Sequence, residues 1–124
     1  MSAIIVKEYP APPIDRREIY RYMQAKPCEE LESLINRALV LSQDKLSYKV
    51  CYTELSLHEC DGVLDLGFAK TDSKDLKKCL DGCEGIILFA ATVGIELDRL
   101  IMRYGKIEPS MALCLQAIGA EIVE

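Results

Sequence analysis

Several residue types that usually carry chemistry are scarce in this 124-residue sequence, which has no tryptophan, two phenylalanines and one histidine, His58. Since a nucleophilic cysteine needs a base nearby, a single histidine leaves little room for such catalysis. Positive charge is also scarce: 15 Lys and Arg against 20 Asp and Glu give a formal net charge of −5. Nucleic-acid binding usually shows as a basic surplus, so we expect no nucleic-acid partner.

Long apolar runs are absent as well. The longest, Ile86 to Ala91, suits a strand and is far shorter than the roughly 20 residues of a membrane span. The N-terminus lacks the basic and apolar regions of a signal peptide. We therefore expect a cytoplasmic protein without a membrane partner. Its cysteines should be reduced and packed mostly as small apolar residues. They are Cys28, Cys51, Cys60, Cys79, Cys83 and Cys114.

Half of the residues are apolar, which excludes a disordered chain and allows one hydrophobic core. With no repeat or linker, residues 1–124 are predicted to form a single domain. The last helix reaches Glu124 without a capping glycine. This domain is therefore expected to be the N-terminal part of a longer one.

Hydrophobic periodicity predicts the α+β class, with a small mixed or antiparallel sheet packed against about five helices and a helical C-terminal half. Asp61-Gly62 indicates a hairpin turn, although the connection between its strands looks longer than two residues. The strand predicted near residues 86–91 has no polar face and is expected to be covered on both sides. Strands are predicted near 3–7, 48–53, 63–68 and 86–91, and helices near 15–24, 27–41, 72–80, 93–104 and 108–124.

Four segments carry a resemblance to a known family. They are Ile-Leu-Phe-Ala-Ala-Thr-Val-Gly (87–94) with the amphipathic helix after it, Gln-Ala-Ile-Gly-Ala-Glu-Ile-Val-Glu (116–124), and residues 14–23 and 76–83. In this order and spacing they resemble the activation region of cobalamin-dependent methionine synthase, and more closely the small stand-alone proteins related to it. The resemblance covers most of the chain in pieces and is densest from about residue 73 to 124.

In the synthase, the activation region binds S-adenosylmethionine, docks over the cobalamin domain and helps to rescue cobalt(II) by reductive methylation. The resemblance therefore implies S-adenosylmethionine as a family ligand. However, the Arg-x-x-x-Gly-Tyr motif that helps to hold this methyl donor is absent, because the chain has no Gly-Tyr pair. The corrinoid-binding pattern Asp-x-His-x-x-Gly is also absent around His58. Cobalamin is therefore expected on a partner.

Three functions follow as hypotheses. The favoured one is an accessory module that docks on a cobalamin-dependent methyltransferase or corrinoid protein and assists reductive reactivation. The alternative is an S-adenosylmethionine-binding fragment of a methyltransferase-linked reactivation enzyme whose C-terminal half is missing. The third is a structural homo-oligomeric subunit that pairs through its last helix. An isolated chain of this kind is not expected to be an enzyme, and no catalytic residue is assigned.

The turn Thr92-Val93-Gly94 is a candidate ligand site, because free backbone N–H groups at the start of the next helix attract anions. Alternatively, Thr92 caps that helix and Gly94 permits close packing. Arg16, Arg17 and Arg21 form a candidate docking patch for an acidic partner or a corrinoid phosphate, or else a solvated helix face.

No metal site is expected. His58, Cys60, Cys79 and Cys83 are the only set of soft ligands, and their spacing lacks the tight Cys-x-x-Cys knuckle common in zinc sites. His58 and Cys60 are also the only local base and thiol pair, which is a weak basis for nucleophilic catalysis.

Overall fold

A computed structural model describes residues 3–124 of the chain. Two compact units emerge. The strand unit comprises residues 3–7 and Cys51–Ala90, and the helical unit comprises Glu8–Val50 and Ala91–Glu124. The prediction of a single domain over residues 1–124 stays a prediction, and residues 1 and 2 lie outside the described part.

The α+β class is confirmed. The helices are α1 (Arg16–Met23), α2 (Glu29–Ser42), α3 (Lys74–Cys79), α4 (Ile95–Ile107) and α5 (Pro109–Val123). The strands are β1 (Ile5–Glu8), β2 (Lys49–Ser56), β3 (His58–Cys60), β4 (Val63–Asp65), β5 (Lys70–Thr71) and β6 (Gly85–Thr92). None of the helices within residues 3–124 is long and apolar enough to cross a bilayer.

The core of the helical unit forms around α5, which contacts α1, α2 and α4. Met111, Cys114, Leu115 and Ile118 are fully buried on this helix. Each such side chain contributes roughly 1.5–3 kcal/mol through removal from water. The helix through which a homo-oligomer was expected to pair is therefore covered by the chain's own helices. The homo-oligomer itself stays a prediction, but α5 does not offer the surface for it.

Helix starts follow their local signals closely. Asp15 accepts a hydrogen bond from the Arg17 N–H (2.9 Å) as the N-cap of α1, and Ser73 accepts from the Leu76 N–H (3.3 Å) as the N-cap of α3. Each side chain satisfies one of the amides that a helix leaves without a partner. The helix starts predicted near residues 15 and 72 are therefore confirmed.

The end of α4 differs from the prediction, because the helix continues through Gly105 to Ile107. Glycine inside a helix costs only about 1 kcal/mol relative to alanine, so it need not end one. The break occurs at Glu108, whose backbone is extended (φ −150°, ψ 83°). The residue before a proline disfavours the helical region, and Pro109 opens α5.

The hairpin is smaller than predicted. Strands β3 and β4 are antiparallel, with Cys60 opposite Val63, and a two-residue turn joins them. Asp61 and Gly62 both have positive φ, as the tight turns that match strand twist require. Strand β5 pairs with the other side of β4 and was not predicted. The turn residues and the strand after them were identified correctly. The strand before the turn was not, since β3 precedes it instead of the strand predicted near 48–53.

Strand β2 is central in a second three-stranded sheet, with the order β1-β2-β6. The Tyr9 N–H donates to the Tyr48 carbonyl (2.8 Å), and the Ser47 N–H donates to the Val93 carbonyl (2.9 Å). These bonds set an antiparallel register on both sides of β2.

Strand β6 is a strand as predicted, but it is not covered on both sides. It lies at an edge of its sheet, and Ile87, Leu88 and Phe89 are 61%, 45% and 67% exposed. An apolar composition shows that a strand is compatible with burial, but not that its own chain supplies the cover. The prediction of cover by this chain is wrong for that reason.

The cysteines are all free thiols, but only Cys114 is buried, and Cys51 is half-buried. Burial raises the pKa of the Cys114 thiol to about 11. The packing prediction holds for Cys114 and fails for four exposed residues, because each of those lies at the end of a helix or strand or in a loop. The four are Cys28, Cys60, Cys79 and Cys83.

Candidate functional site

An apolar pocket of about 380 Å³ lies within the helical unit. Its volume falls at the lower end of the range for small-molecule sites, which are mostly apolar with a few polar groups. Loop, strand and helix residues all contribute to its walls. The lining residues are Tyr9, Pro10, Pro12, Tyr48, Lys49, Val50, Ala91, Thr92, Val93, Ile122 and Val123.

Two backbone hydrogen bonds hold the walls together. The Tyr9 N–H bonds to the Tyr48 carbonyl, which joins the proline-rich loop to the start of β2. The Ser47 N–H bonds to the Val93 carbonyl, which joins the loop before β2 to the turn after β6. Both tyrosine rings therefore stand on backbone that is fixed by its neighbours.

Gly94 lets the turn approach this loop closely. Its φ of +94° is rarely adopted by other residues, and a Cβ there would lie 2.5 Å from the Ser47 Oγ. The Gly94 N–H donates to the Thr92 Oγ1 (3.0 Å), so the threonine closes a local turn instead of capping a helix. The sequence predicted a helix from about Val93, but α4 consequently begins at Ile95.

Thr92, Val93 and Gly94 thus lie at the pocket, but the surrounding chemistry is not that of an anion site. The first turn of α4 carries Glu96 and Asp98, whose charges already complement the positive end of the helix dipole. Among the described lining residues, Lys49 carries the only charged side chain, and its Nζ lies 3.5 Å from the Glu8 carboxylate. The anion site stays a prediction, while the lining itself suits an apolar or aromatic group.

The three arginines of α1 are each paired within the chain. Arg16 bonds to Glu32 (2.9 Å), Arg17 to Asp15 (3.0 Å), and Arg21 to Glu18 (2.6 Å). These partners neutralise much of the charge that would attract an acidic surface. Arg17 keeps the most accessible side chain of the three, at 90%. A docking role for the cluster stays a prediction.

The predicted soft ligands do not form a cluster among residues 3–124. His58 and Cys60 lie on β3, Cys79 ends α3, and Cys83 lies in the loop after it, all exposed. The group with metal-like spacing in this part of the chain is instead Glu18, Glu121 and Glu124. Arg21 bonds to Glu18 and also to Glu124 (3.1 Å), which offsets the charge that would attract a cation.

Sequence reasoning missed the residues that give the pocket its shape. Tyr9 and Tyr48 are distant in sequence, and the pattern Pro-Ala-Pro-Pro at residues 10–13 indicates only a loop. A tyrosine directly before a proline-rich loop was an available signal. The position of Tyr48 beside Tyr9 could not be predicted from the sequence, because it depends on the pairing of β1 with β2.

Comparison with known proteins gives a likeness of fold. No protein-family model matches the chain, and no curated protein sequence matches it. Among solved structures, the chain is similar to one described as the crystal structure of the MetH reactivation domain bound to AdoHcy. The TM-score is 0.64 at 11% sequence identity. The match covers 97% of this chain and 51% of that one, so the chain spans about half the length of the structure it resembles.

Proposed function

We propose that this protein is a reactivation-domain-like module that docks on a cobalamin-dependent methyltransferase or corrinoid protein and assists its reductive reactivation. The observation that carries the proposal is the fold likeness over 97% of the chain to the MetH reactivation domain. The resemblance in four sequence segments agrees with it independently. Fold alone does not specify chemistry, so the proposal must be tested at the site.

The pocket argues for docking ahead of methyl-donor binding. S-adenosylmethionine carries a sulfonium, an ammonium and a carboxylate. None of the described lining residues is acidic, and the one charged side chain is the Lys49 cation, which would repel a sulfonium. The Arg-x-x-x-Gly-Tyr motif is also missing. Apolar walls with two tyrosines suit an apolar side chain or ring edge of a partner.

The cobalamin held by the partner would supply the chemistry of reductive methylation, with a one-electron donor as the reductant and S-adenosylmethionine as the source of the methyl group. This chain's contribution would be to hold the partner in the arrangement that admits these reactants.

The direct test is calorimetric titration of the chain with the purified cobalamin-binding domain of methionine synthase in the cobalt(II) state. We expect saturable binding in the micromolar range. Tyr9→Ala should weaken it about 10-fold, because aromatic anchors dominate interface energies. Phe68→Ala is the control, since Phe68 is an exposed aromatic residue that does not line the pocket. No binding by a well-folded wild-type chain would overturn the proposal.

The donor-binding alternative has its own readout. Titration with S-adenosylmethionine alone should give no heat at 100 μM protein. Saturable heat that Tyr48→Ala abolishes would favour the S-adenosylmethionine-binding fragment in place of the docking module. This measurement needs no partner, so it separates the two functions even if the partner domain were wrongly chosen.

A further inference from the structure

The small sheet β3-β4-β5 places three kinds of metal-binding side chain on one face. Strands β3 and β4 are antiparallel, and His58 lies directly opposite Asp65. Residues opposite each other in such a pair have their Cβ atoms about 4.5–5.5 Å apart on the same face. Alternate residues of one strand also share a face, which adds Cys60 at about 7 Å from His58. The register therefore groups an imidazole, a thiol and a carboxylate.

This face of the sheet is the one that an ion in solution reaches. Leu64, the residue before Asp65 on β4, is only 3% exposed. Because successive side chains of a strand alternate between faces, Asp65 lies on the face opposite to this buried leucine. His58 and Cys60 are exposed, and Asp65 is half-buried. The three side chains are therefore accessible together.

Each of the three side chains has an atom available for a metal ion. Within residues 3–124 the His58 ring takes part in no hydrogen bond or ion pair. The Cys60 thiol is free, and its Sγ makes a long contact of 3.9 Å with the Asp61 carboxylate. The Asp65 Oδ1 accepts a hydrogen bond from the Gly67 N–H (2.9 Å), which leaves Oδ2 for an ion. Outer hydrogen bonds of this kind orient the carboxylates that bind metals.

We propose that His58, Cys60 and Asp65 bind one divalent transition-metal ion, with zinc as the ion that best matches this set of ligands. Imidazole nitrogen, thiolate sulfur and carboxylate oxygen are the ligand types of zinc, at about 2.0–2.3 Å from the ion. Calcium and magnesium instead prefer oxygen ligands throughout. The Cys60 thiol gives its proton to solvent as the sulfur–metal bond forms. Three protein ligands leave the fourth tetrahedral position to water.

The backbone frame of this site is fixed, and binding needs rotation of side chains alone. The three ligand atoms lie further apart in the described structure than one ion would hold them. Exposed side chains change rotamer within nanoseconds, so this rearrangement is fast. Asp61 and Gly62, both with positive φ, hold β3 and β4 in register through a two-residue turn. Ordering three side chains costs entropy, and we therefore expect a dissociation constant in the micromolar range.

The third ligand is the one that the sequence did not single out. The spacing of soft ligands had grouped His58 and Cys60 with Cys79 and Cys83, whereas the register of β3 with β4 supplies Asp65. The site lies in the strand unit and does not line the apolar pocket. The inference is therefore independent of the proposed docking function, and no partner protein is needed to test it.

Titration of the full, reduced chain with cobalt(II), followed by absorbance, tests the site. Cobalt(II) is the probe because it accepts the ligands of zinc, and its bond to a thiolate gives a charge-transfer band in the near ultraviolet. The expected result is one ion per chain with this band, which added zinc removes. Cys60→Ser should abolish the band, and His58→Ala and Asp65→Asn should each weaken binding by about 10-fold or more. Glu59→Gln, on β3 opposite Leu64, is the control that should bind like the wild type.

Lys70 provides a test of the position of the ion. It lies opposite Asp65 on β5, so its positive charge is on the same face and opposes the binding of a cation. Lys70→Gln should therefore tighten cobalt binding several-fold. An unchanged affinity in this variant would place the ion away from Asp65 and would overturn the proposal.

Three other results would also overturn the proposal. One is a folded wild-type chain without the thiolate band at about 1 mM cobalt, because a micromolar site is saturated there. Another is a band that survives Cys60→Ser, since a different cysteine would then be the ligand. The third is binding without the band that Glu124→Gln removes, which would assign the ion to the group of Glu18, Glu121 and Glu124. Circular dichroism of each variant separates the loss of a ligand from the loss of the fold.

Discussion

Replacement of Gly94 by alanine should destabilise the protein by about 2–3 kcal/mol. The φ of +94° is a region where a side chain costs about 1–3 kcal/mol, and the new Cβ would lie 2.5 Å from the Ser47 Oγ. Moving that hydroxyl away from its preferred rotamer adds about 1 kcal/mol. The lower chain entropy of unfolded alanine offsets about 0.4–1 kcal/mol. At roughly 4 °C per kcal/mol for a chain of this length, the melting temperature should fall by about 10 °C.

The assay is urea unfolding followed by circular dichroism. The Ser47→Ala variant and the double variant with Gly94→Ala and Ser47→Ala complete a double-mutant cycle. Once the Ser47 Oγ is removed, the nearest remaining atoms lie 3.5 Å away, which is ordinary contact. The double variant should therefore recover about 1 kcal/mol while the backbone cost remains. Gly105→Ala is the matched control, because its Cβ would meet nothing within 4 Å and helix propensity should stabilise it by up to about 1 kcal/mol. Equal effects at the two glycines would refute the reasoning.

Three further outcomes follow from the helical unit. Ile118→Ala should cost about 2–5 kcal/mol in urea unfolding, because the side chain is fully buried, whereas a cost below 1 kcal/mol would contradict that core. In thiol labelling with Ellman's reagent, Cys114 should react only on unfolding, while the four exposed cysteines react in the native state. Tyr20 should ionise near pH 12, since burial and its bond to Glu32 raise its pKa to about 12. Its contribution to the free energy of unfolding is therefore present below pH 10 and lost as pH rises through 12. Absorbance near 295 nm and unfolding in alkali would measure this loss, with Tyr20→Phe as the control.

The helices were largely predictable because their signals are local. Asp15 before α1, Ser73 before α3 and Pro109 at the start of α5 each act through hydrogen bonds or steric limits within four residues. The clear failure among these was Gly105, where a weak propensity was overridden by the packing of α4 against α5. Tertiary contacts decide such cases, and a single sequence does not display them.

Strand pairing was less predictable because it depends on partners distant in sequence. The Asp61-Gly62 turn was visible, but β2 ends at Ser56 and the turn instead joins the three-residue strands β3 and β4. The candidate site illustrates the same limit. Thr92 and Val93 were identified, while Tyr9 and Tyr48 reach the pocket only through the pairing of β1 with β2.

The exposed strand β6 shows why composition alone did not predict its surroundings. Its composition, with no polar face, indicates a strand that is buried in its working state. The described chain nevertheless leaves Ile87 and Phe89 more than half exposed. A composition suited to burial therefore predicts the strand itself, but not which residues cover it.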